Sequence, residues 1–308
     1  MAPGISVKVA VVGGGSIGLR HQRVLQDLNH EVVLISGHKD SAKYKLLQTA
    51  LDQESFEYVV VASATSQHFD DLDCLIKNNF SGRVLIEKPV FDKSKHTKPH
   101  KFAAVAVGYN LRFHPAVLWL QQTLPKLGAV TSASFYVGQY LPTWRPGSDY
   151  QNSSSAKHIS GGGVLRDLSH ELDLVQNTLG DWQKLTAIGG KFSNLNIETD
   201  DTFAILMQTQ KCEAVSIQMN YTDQLTQRNI TLNGNNGTIN IDLVNCVSTF
   251  NDSRTNFDVK PDDTYIAQHK AMLSSDMQNI CTFGDATKIV ETIEAIEKSV
   301  KKSKWIIQ

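Results

Sequence analysis

The sequence is poor in cysteine. Its four cysteines, Cys74, Cys212, Cys246 and Cys281, stand far apart with no CxxC pair, which argues against a zinc ribbon or a disulfide framework and suits a reducing compartment. No His, Cys or Asp cluster has ligand spacing, so no metal is expected. Long hydrophobic runs are missing too, since no stretch approaches the ~20 apolar residues that cross a bilayer. The first residues, MAPGISVKVAVV, lack the basic region, apolar stretch and cleavage site of an export signal. A cytoplasmic protein without a membrane partner is expected. Nor is there an excess of charge: 30 Lys and Arg against 31 Asp and Glu leave a formal net charge of −1, which removes the electrostatic case for nucleic acid. Short basic runs at 93–101 and 298–304 are mixed with His, Pro or apolar residues and read as solvated faces.

What is present is the composition of a globular protein, 41% hydrophobic and 20% charged, over a length that exceeds what one core usually organises. Apolar, β-rich runs at 7–12, 31–35, 58–62, 84–86 and 103–107 alternate with helical spacing at 16–28, at 43–50 and through Leu72, Leu75 and Ile76. Such alternation predicts an α/β Rossmann domain, a doubly wound parallel sheet, over residues 1–112. After about Leu111 the pattern changes. Strand-like stretches at 130–140, 185–192, 202–210, 214–221, 229–232 and 238–243 dominate, with hairpin signals at Asn233-Gly234 and Asn236-Gly237. Helices are expected at 115–124, 165–179, 264–283 and 286–299. Residues 113–308 therefore read as an α+β domain with a mostly antiparallel sheet, whose open face predicts a homodimer or homotetramer. Residues 151–155 and 158–163 read as mobile loops.

Gly13-x-Gly15-x-x-Gly18 stands between the first strand and the first helix, with Ser16 and Ile17 opening that helix. The first glycine permits the tight turn, the second lets backbone approach a pyrophosphate, and the third lets helix and strand pack closely. The helix start adds free N–H donors and the positive end of its dipole. A merely structural glycine-rich turn is the alternative, disfavoured by the strand–turn–helix context. The second strand ends Ile35-Ser36-Gly37-His38-Lys39-Asp40 without a carboxylate at its expected tip. Ser36, His38 and Lys39 could receive a 2′-phosphate, which leans towards NADP. Asp40 could bind the ribose hydroxyls if the strand ran further, and Lys39 could be plain surface charge.

Five motifs carry a wider likeness: VAVVGGGSIGLRH from Val9, VVVASATSQH from Val59, IEKPV from Ile86, GYNLRFHP from Gly108 and GGGVLRDLSHELD from Gly161. Through them the chain resembles the glucose–fructose oxidoreductase, inositol dehydrogenase and MocA (Gfo/Idh/MocA) family over nearly its whole length. YVGQYLPTWRP from Tyr136 is most similar to members in surface-polysaccharide pathways. The resemblance implies an NAD(P)-dependent oxidoreductase that moves a hydride between nicotinamide and a secondary alcohol or ketone of a sugar, sugar nucleotide or cyclitol. It also places Ser63, Thr65, His68, Glu87 and Lys88 at the cofactor.

Lys88 follows the fourth strand, at the carboxyl edge where open parallel sheets bind ligands. The resemblance implies that its ammonium hydrogen-bonds the reacting oxygen; a Lys that only salt-bridges at the domain edge is the alternative. His170 has Asp167 three residues before it and Asp173 three after, both within reach on a helix. An imidazole, with an ordinary pKa of about 6.5, suits proton exchange, and the resemblance makes His170 the general acid/base with Asp167 beside it. The family places its Asp four residues before the His, a slot held here by Arg166, which sets Asp167 one place late. The resemblance brings Arg112, Tyr140, Trp144, Arg145 and His158 near the substrate, although Trp144 could simply pack. The stretch 91–101 is short for the family, and Pro99 argues against a full helix there. Two rival functions are a dinucleotide-binding sensor and a reductase of a non-carbohydrate.

Overall fold

Five short strands open the chain: β1 (Lys8–Val12), β2 (Glu31–Ile35), β3 (Tyr58–Val61), β4 (Arg83–Ile86) and β5 (Ala104–Val107). Their centres are buried on both faces, the signature of strands covered by helices above and below. Between them run α1 (Ser16–Asp27), α2 (Leu47–Gln53) and α3 (His68–Lys77). Helix α2 starts later than the expected 43–50. Its predecessor segment stays extended because Tyr44 bridges Ile35, with Ser36 N–H donating to the Tyr44 carbonyl and Lys43 N–H to that of Leu34.

There follow α4 (Pro115–Thr123), β6 (Val130–Gly138), α5 (Val164–Asp167) and α6 (His170–Leu179). A run of strands comes next: β7 (Trp182–Gly190), β8 (Thr202–Thr209), β9 (Val215–Asn220), β10 (Gln227–Gly234), β11 (Gly237–Asp242), β12 (Val247–Phe250) and β13 (Ser253–Asn256). The chain closes with α7 (Asp263–Leu273), β14 (Cys281–Thr282), α8 (Phe283–Lys302) and β15 (Ile306–Ile307). The expected helix over 165–179 is two helices. After Leu168, whose N–H reaches the Val164 carbonyl, Ser169 and Glu171 switch to i→i−3 bonds on Arg166 and Leu168, tightening the turn and re-aiming the axis. The expected helix over 264–283 ends at Leu273, and its last part becomes β14.

The computed structural model describes residues 6–145, 147, 149–274 and 277–308 and divides the chain into two compact units. The first holds the residues up to Asn110 together with Pro261–Val290. Its six-stranded sheet runs β14-β5-β4-β3-β1-β2, parallel throughout except for β14, which pairs antiparallel with β5. Helix α7 packs on α1 and β4. A division at residue 112 thus misses a returning segment: the first unit is completed from late in the chain.

The second unit holds Leu111–Lys260 and Glu291–Gln308. Its nine-stranded sheet runs β13-β12-β11-β10-β6-β9-β8-β7-β15, antiparallel apart from the β6–β9 pair. The hairpin signals fall where expected, with Gly234 opposite Gly237 across a two-residue turn. Strands alternate, as in β8, where Phe203, Ile205 and Met207 are buried while Ala204 and Leu206 are exposed. The buried side faces α6, which packs on β6 with Leu172, Leu174, Val175 and Leu179 inside. The segments at 151–155 and 158–163 carry one-turn 3-10 helices, Tyr150–Asn152, Ser154–Ala156 and His158–Ser160. Among the described residues no helix is long and apolar enough to cross a membrane, and no group of three or more His, Cys, Asp or Glu could hold a metal ion.

Candidate active site

In the first unit, the turn after β1 admits only glycine at two of its positions. Gly13 sits at φ +113, and a Cβ there would lie 2.2 Å from the Ala62 carbonyl oxygen. A Cβ on Gly18 would lie 1.9 Å from the Gly13 carbonyl oxygen, so α1 can approach the turn only as glycine. Gly15 has nothing within 4 Å of its would-be Cβ. It stands as the N-cap of α1 with no side chain capping it, leaving the N–H groups of Ser16 and Ile17 to an incoming acceptor. This cradle fits a dinucleotide pyrophosphate. A Cβ on Gly14 would meet the Lys39 side chain at 2.4 Å and Ser36 Oγ at 2.6 Å. Ser36 and Lys39 therefore lie against the loop, as expected, and His38 follows on the exposed turn with its N–H 3.3 Å from Ser36 Oγ. Asp40 is exposed beyond the end of β2.

At the carboxyl ends of β3 and β4, Ser63 and Thr65 are half-buried and Lys88 is half-buried at the strand tip. Ser63 Oγ donates to Asp71 Oδ2 at 2.6 Å. Burial pushes the Asp71 carboxyl up to about 6, against the pull of that hydroxyl. His68 is buried, with Nδ1 at 3.1 Å from the Pro89 and 3.2 Å from the Val90 carbonyl, and Nε2 at 3.1 Å from that of Ser63. Burial holds its pKa below the usual imidazole range. His68 is thus an internal strut that ties the β3 turn to the segment behind Lys88.

Glu87 is also turned inward. Its Oε1 lies 2.9 Å from His21 Nε2, and its Oε2 accepts the Lys88 backbone N–H at 3.2 Å. Burial pushes its pKa up, but the bond from His21 and the charge of Lys88 outweigh it, and the net direction is down. Behind it, His21 Nδ1 is 2.8 Å from His269 Nε2, and Tyr58 Oη is 2.9 Å from His269 Nδ1. The likeness of motifs gave no role to His21, Tyr58 or His269. The available signal was His21 itself, which shares the buried face of α1 with Val24 and Leu25.

In the second unit, the break between α5 and α6 falls between Asp167 and His170. Asp167 ends α5 and accepts from Tyr221 Oη at 2.6 Å, while His170 is the buried first residue of α6. Arg112 is buried and directed at Asp173: Nη2 donates to Oδ1 at 2.6 Å, and Nε lies 3.0 and 3.1 Å from the two oxygens. A fork bound in this way holds α6 in place. Trp144 donates to the Gln139 carbonyl at 3.3 Å and meets the Tyr221 ring edge-on, centroids 5.2 Å apart. Tyr140 is half-buried, whereas Arg145 and His158 are exposed. The WRP motif continues into Pro146, outside the described residues.

Two family models match the sequence: the oxidoreductase family NAD-binding Rossmann fold over residues 7–111 and the GFO/IDH/MocA C-terminal domain over residues 125–240. No curated protein matches. Among solved structures, a levoglucosan dehydrogenase in complex with NADH superposes with a TM-score of 0.85 at 13% identity, covering 98% of this chain and 99% of that one. GenD2 from gentamicin A biosynthesis, in complex with NAD, gives 0.79 at 20% identity over 98% and 96%. An oxidoreductase from Thermotoga maritima gives 0.81 at 14% identity over 98% of each chain. At these identities the structures share a fold with this chain. The glycine cradle, the Glu-Lys-Pro tip of β4 and the two domain matches together place the chain in the Gfo/Idh/MocA family of NAD-binding oxidoreductases.

Proposed function

We propose that the protein oxidises or reduces a secondary alcohol or ketone of a sugar, sugar nucleotide or cyclitol, and that Lys88 and His170 do the chemistry. The observation that carries this reading is the pairing, within one unit, of a glycine-only phosphate cradle with a lysine at the carboxyl tip of β4. Gly13, Gly15 and Gly18, with the N–H groups that open α1, hold the pyrophosphate. Bound there, a nicotinamide dinucleotide supplies the ring carbon that accepts or returns a hydride. Lys88 donates a hydrogen bond to the reacting oxygen and favours its alkoxide-like form, an interaction that strengthens as negative charge develops. His170 takes the hydroxyl proton in oxidation and returns it in reduction. Carbohydrate chemistry is supported by the structural neighbours named for a sugar substrate and for an aminoglycoside pathway. Ser36 and Lys39 beside Gly14, with no carboxylate at the tip of β2, support NADP over NAD.

The first test offers the purified protein a pool of sugar nucleotides and cyclitols with NADP or NAD, and follows absorbance of the reduced cofactor. Turnover that Lys88→Met abolishes while dinucleotide affinity holds supports the reading. Turnover that survives the substitution refutes Lys88 as the polarising cation, and tight dinucleotide binding without any turnover favours a sensor.

The outer face of the nine-stranded sheet is the proposed self-association surface. Leu206, Ile188, Trp305 and Ile307 are 54%, 72%, 48% and 78% exposed, and Leu206 and Trp305 line one shallow hollow with Ser134 and Ser216. Homodimer or homotetramer formation covers this apolar patch. Light scattering on Leu206→Asp should find a smaller assembly than the wild type; an unchanged mass rules this surface out. The four thiols and the lack of a membrane-crossing helix among the described residues agree with a cytoplasmic location.

A further inference from the structure

Four buried polar side chains of the first unit stand in a line: Tyr58 on β3, His269 on α7, His21 on α1 and Glu87 at the end of β4. Links of 2.9, 2.8 and 2.9 Å join them. A neutral imidazole has one donor and one acceptor, so each link constrains the next. Burial keeps the Tyr58 phenol far above its usual pKa, so its hydroxyl keeps a proton that it can donate. Burial keeps His269 well below the usual imidazole range and therefore neutral. With Tyr58 donating to Nδ1, the one His269 proton sits on Nε2 and points at His21 Nδ1. The His21 proton is then on Nε2 and points at Glu87. Every donor meets an acceptor, and the line ends on a carboxylate whose second oxygen holds the Lys88 N–H. Gly108 walls the far side, since a Cβ there would lie 2.6 Å from Glu87 Oε1.

We propose that Tyr58, His269 and His21 form a one-way hydrogen-bond chain that fixes Glu87 and, through it, the peptide from which the Lys88 side chain departs. His21 and His269 are then positioning residues. The proposal rests on the reading of Lys88 as the polarising cation. Other charged or titratable groups near the chain are Lys88 and Arg83 around Glu87 and Tyr58, His30 towards His269, and Tyr265, capped by Arg20 and Asp262, against His21. If His21 is removed, burial is opposed only by the Lys88 N–H and the Lys88 charge, and the Glu87 carboxyl rises.

Nitrogen NMR on the full-length protein with labelled histidine tests the chain without reference to activity. His21 and His269 should both appear as Nε2–H tautomers; an Nδ1–H signal from either overturns the chain. Kinetics with NADP and the sugar-nucleotide and cyclitol pool tests positioning. His21→Leu should lower kcat on the order of 100-fold, the cost of a misplaced catalytic group, with dinucleotide affinity unchanged. The acid limb of its pH profile should move up. His21→Gln, which keeps a donor towards Glu87, should restore most of kcat and the original profile. His269→Gln, which keeps a donor towards His21, should behave like wild type and gives a second reading if His21→Leu folds poorly. Equal losses in Leu and Gln variants with an unmoved pH profile overturn the positioning role. Turnover by Lys88→Met overturns the underlying reading instead, and leaves the tautomers to judge the chain alone.

Discussion

Asp71 and Arg112 show two opposite ways in which a buried charge enters the stability of this protein. Asp71 has a folded-state carboxyl at about 6, raised from 3.8 mainly by burial. The folded protein therefore holds a proton that the unfolded chain releases earlier, so this group costs nothing below about pH 4 and costs increasingly as pH rises to about 6. Asp71→Asn should gain about 2 kcal/mol at pH 7 and little at pH 4; urea unfolding at both values checks it. Arg112 is the reverse case, because Asp173 is buried and held by its fork. Arg112→Met should cost about 3–5 kcal/mol, the penalty of leaving a buried charge without its partner. A clamp for substrate would instead leave urea unfolding unchanged and raise KM. The glycine loop was legible because its glycines stand at fixed short spacing between a strand and a helix, and the Gly18 contact, with the Gly13 carbonyl, lies five residues away. The partners of Arg112, His21 and Glu87 lie 61, 248 and 66 positions away, and no local pattern encodes such pairings.

At the scale of elements, length decided what could be foreseen. Strands β1 to β5 are near-continuous apolar runs and stand out. Strand β13, Ser-Arg-Thr-Asn, and the two-residue β14 and β15 do not, since polar or very short segments carry no period. The break between α5 and α6 escapes notice because Leu165, Leu168, Leu172 and Val175 keep helical spacing across it while the bonding changes underneath. Strand β15 is short but consequential. Ile306 is buried against Leu185 on β7, and Gln308 N–H donates to the Gln183 carbonyl. Deleting residues 305–308 removes one buried isoleucine, worth about 2 kcal/mol, and opens the β7 edge to other chains. Chemical denaturation should register the loss, and light scattering at rising temperature should register earlier aggregation. If both traces overlay the wild type, β15 contributes nothing.

At the scale of the molecule, neither unit is a continuous stretch of chain. The Rossmann class was legible from the alternation of strands and helices, whereas the return of Pro261–Val290 was not, because a sheet edge and a helix face do not announce which late segment will cover them. A fragment of residues 1–112 lacks α7, which buries His269 and Met272, and lacks β14 on the edge of β5. Circular dichroism should find it poorly folded, while residues 6–110 joined to 261–290 by a flexible linker should melt cooperatively and bind NADP. Cooperative melting of the shorter fragment would show that the returning segment is dispensable.

The late completion of the first unit also has a consequence in time. A ribosome delivers β1 to β5 well before α7 and β14, and at about 5–20 residues per second the intervening chain takes on the order of ten seconds to emerge. Through that interval the nascent nucleotide-binding half carries an open β5 edge and an uncovered apolar seam along α1 and β4. Its maturation waits for residues 261–290, so a message truncated ahead of them yields a polypeptide exposed to proteases and holdase chaperones.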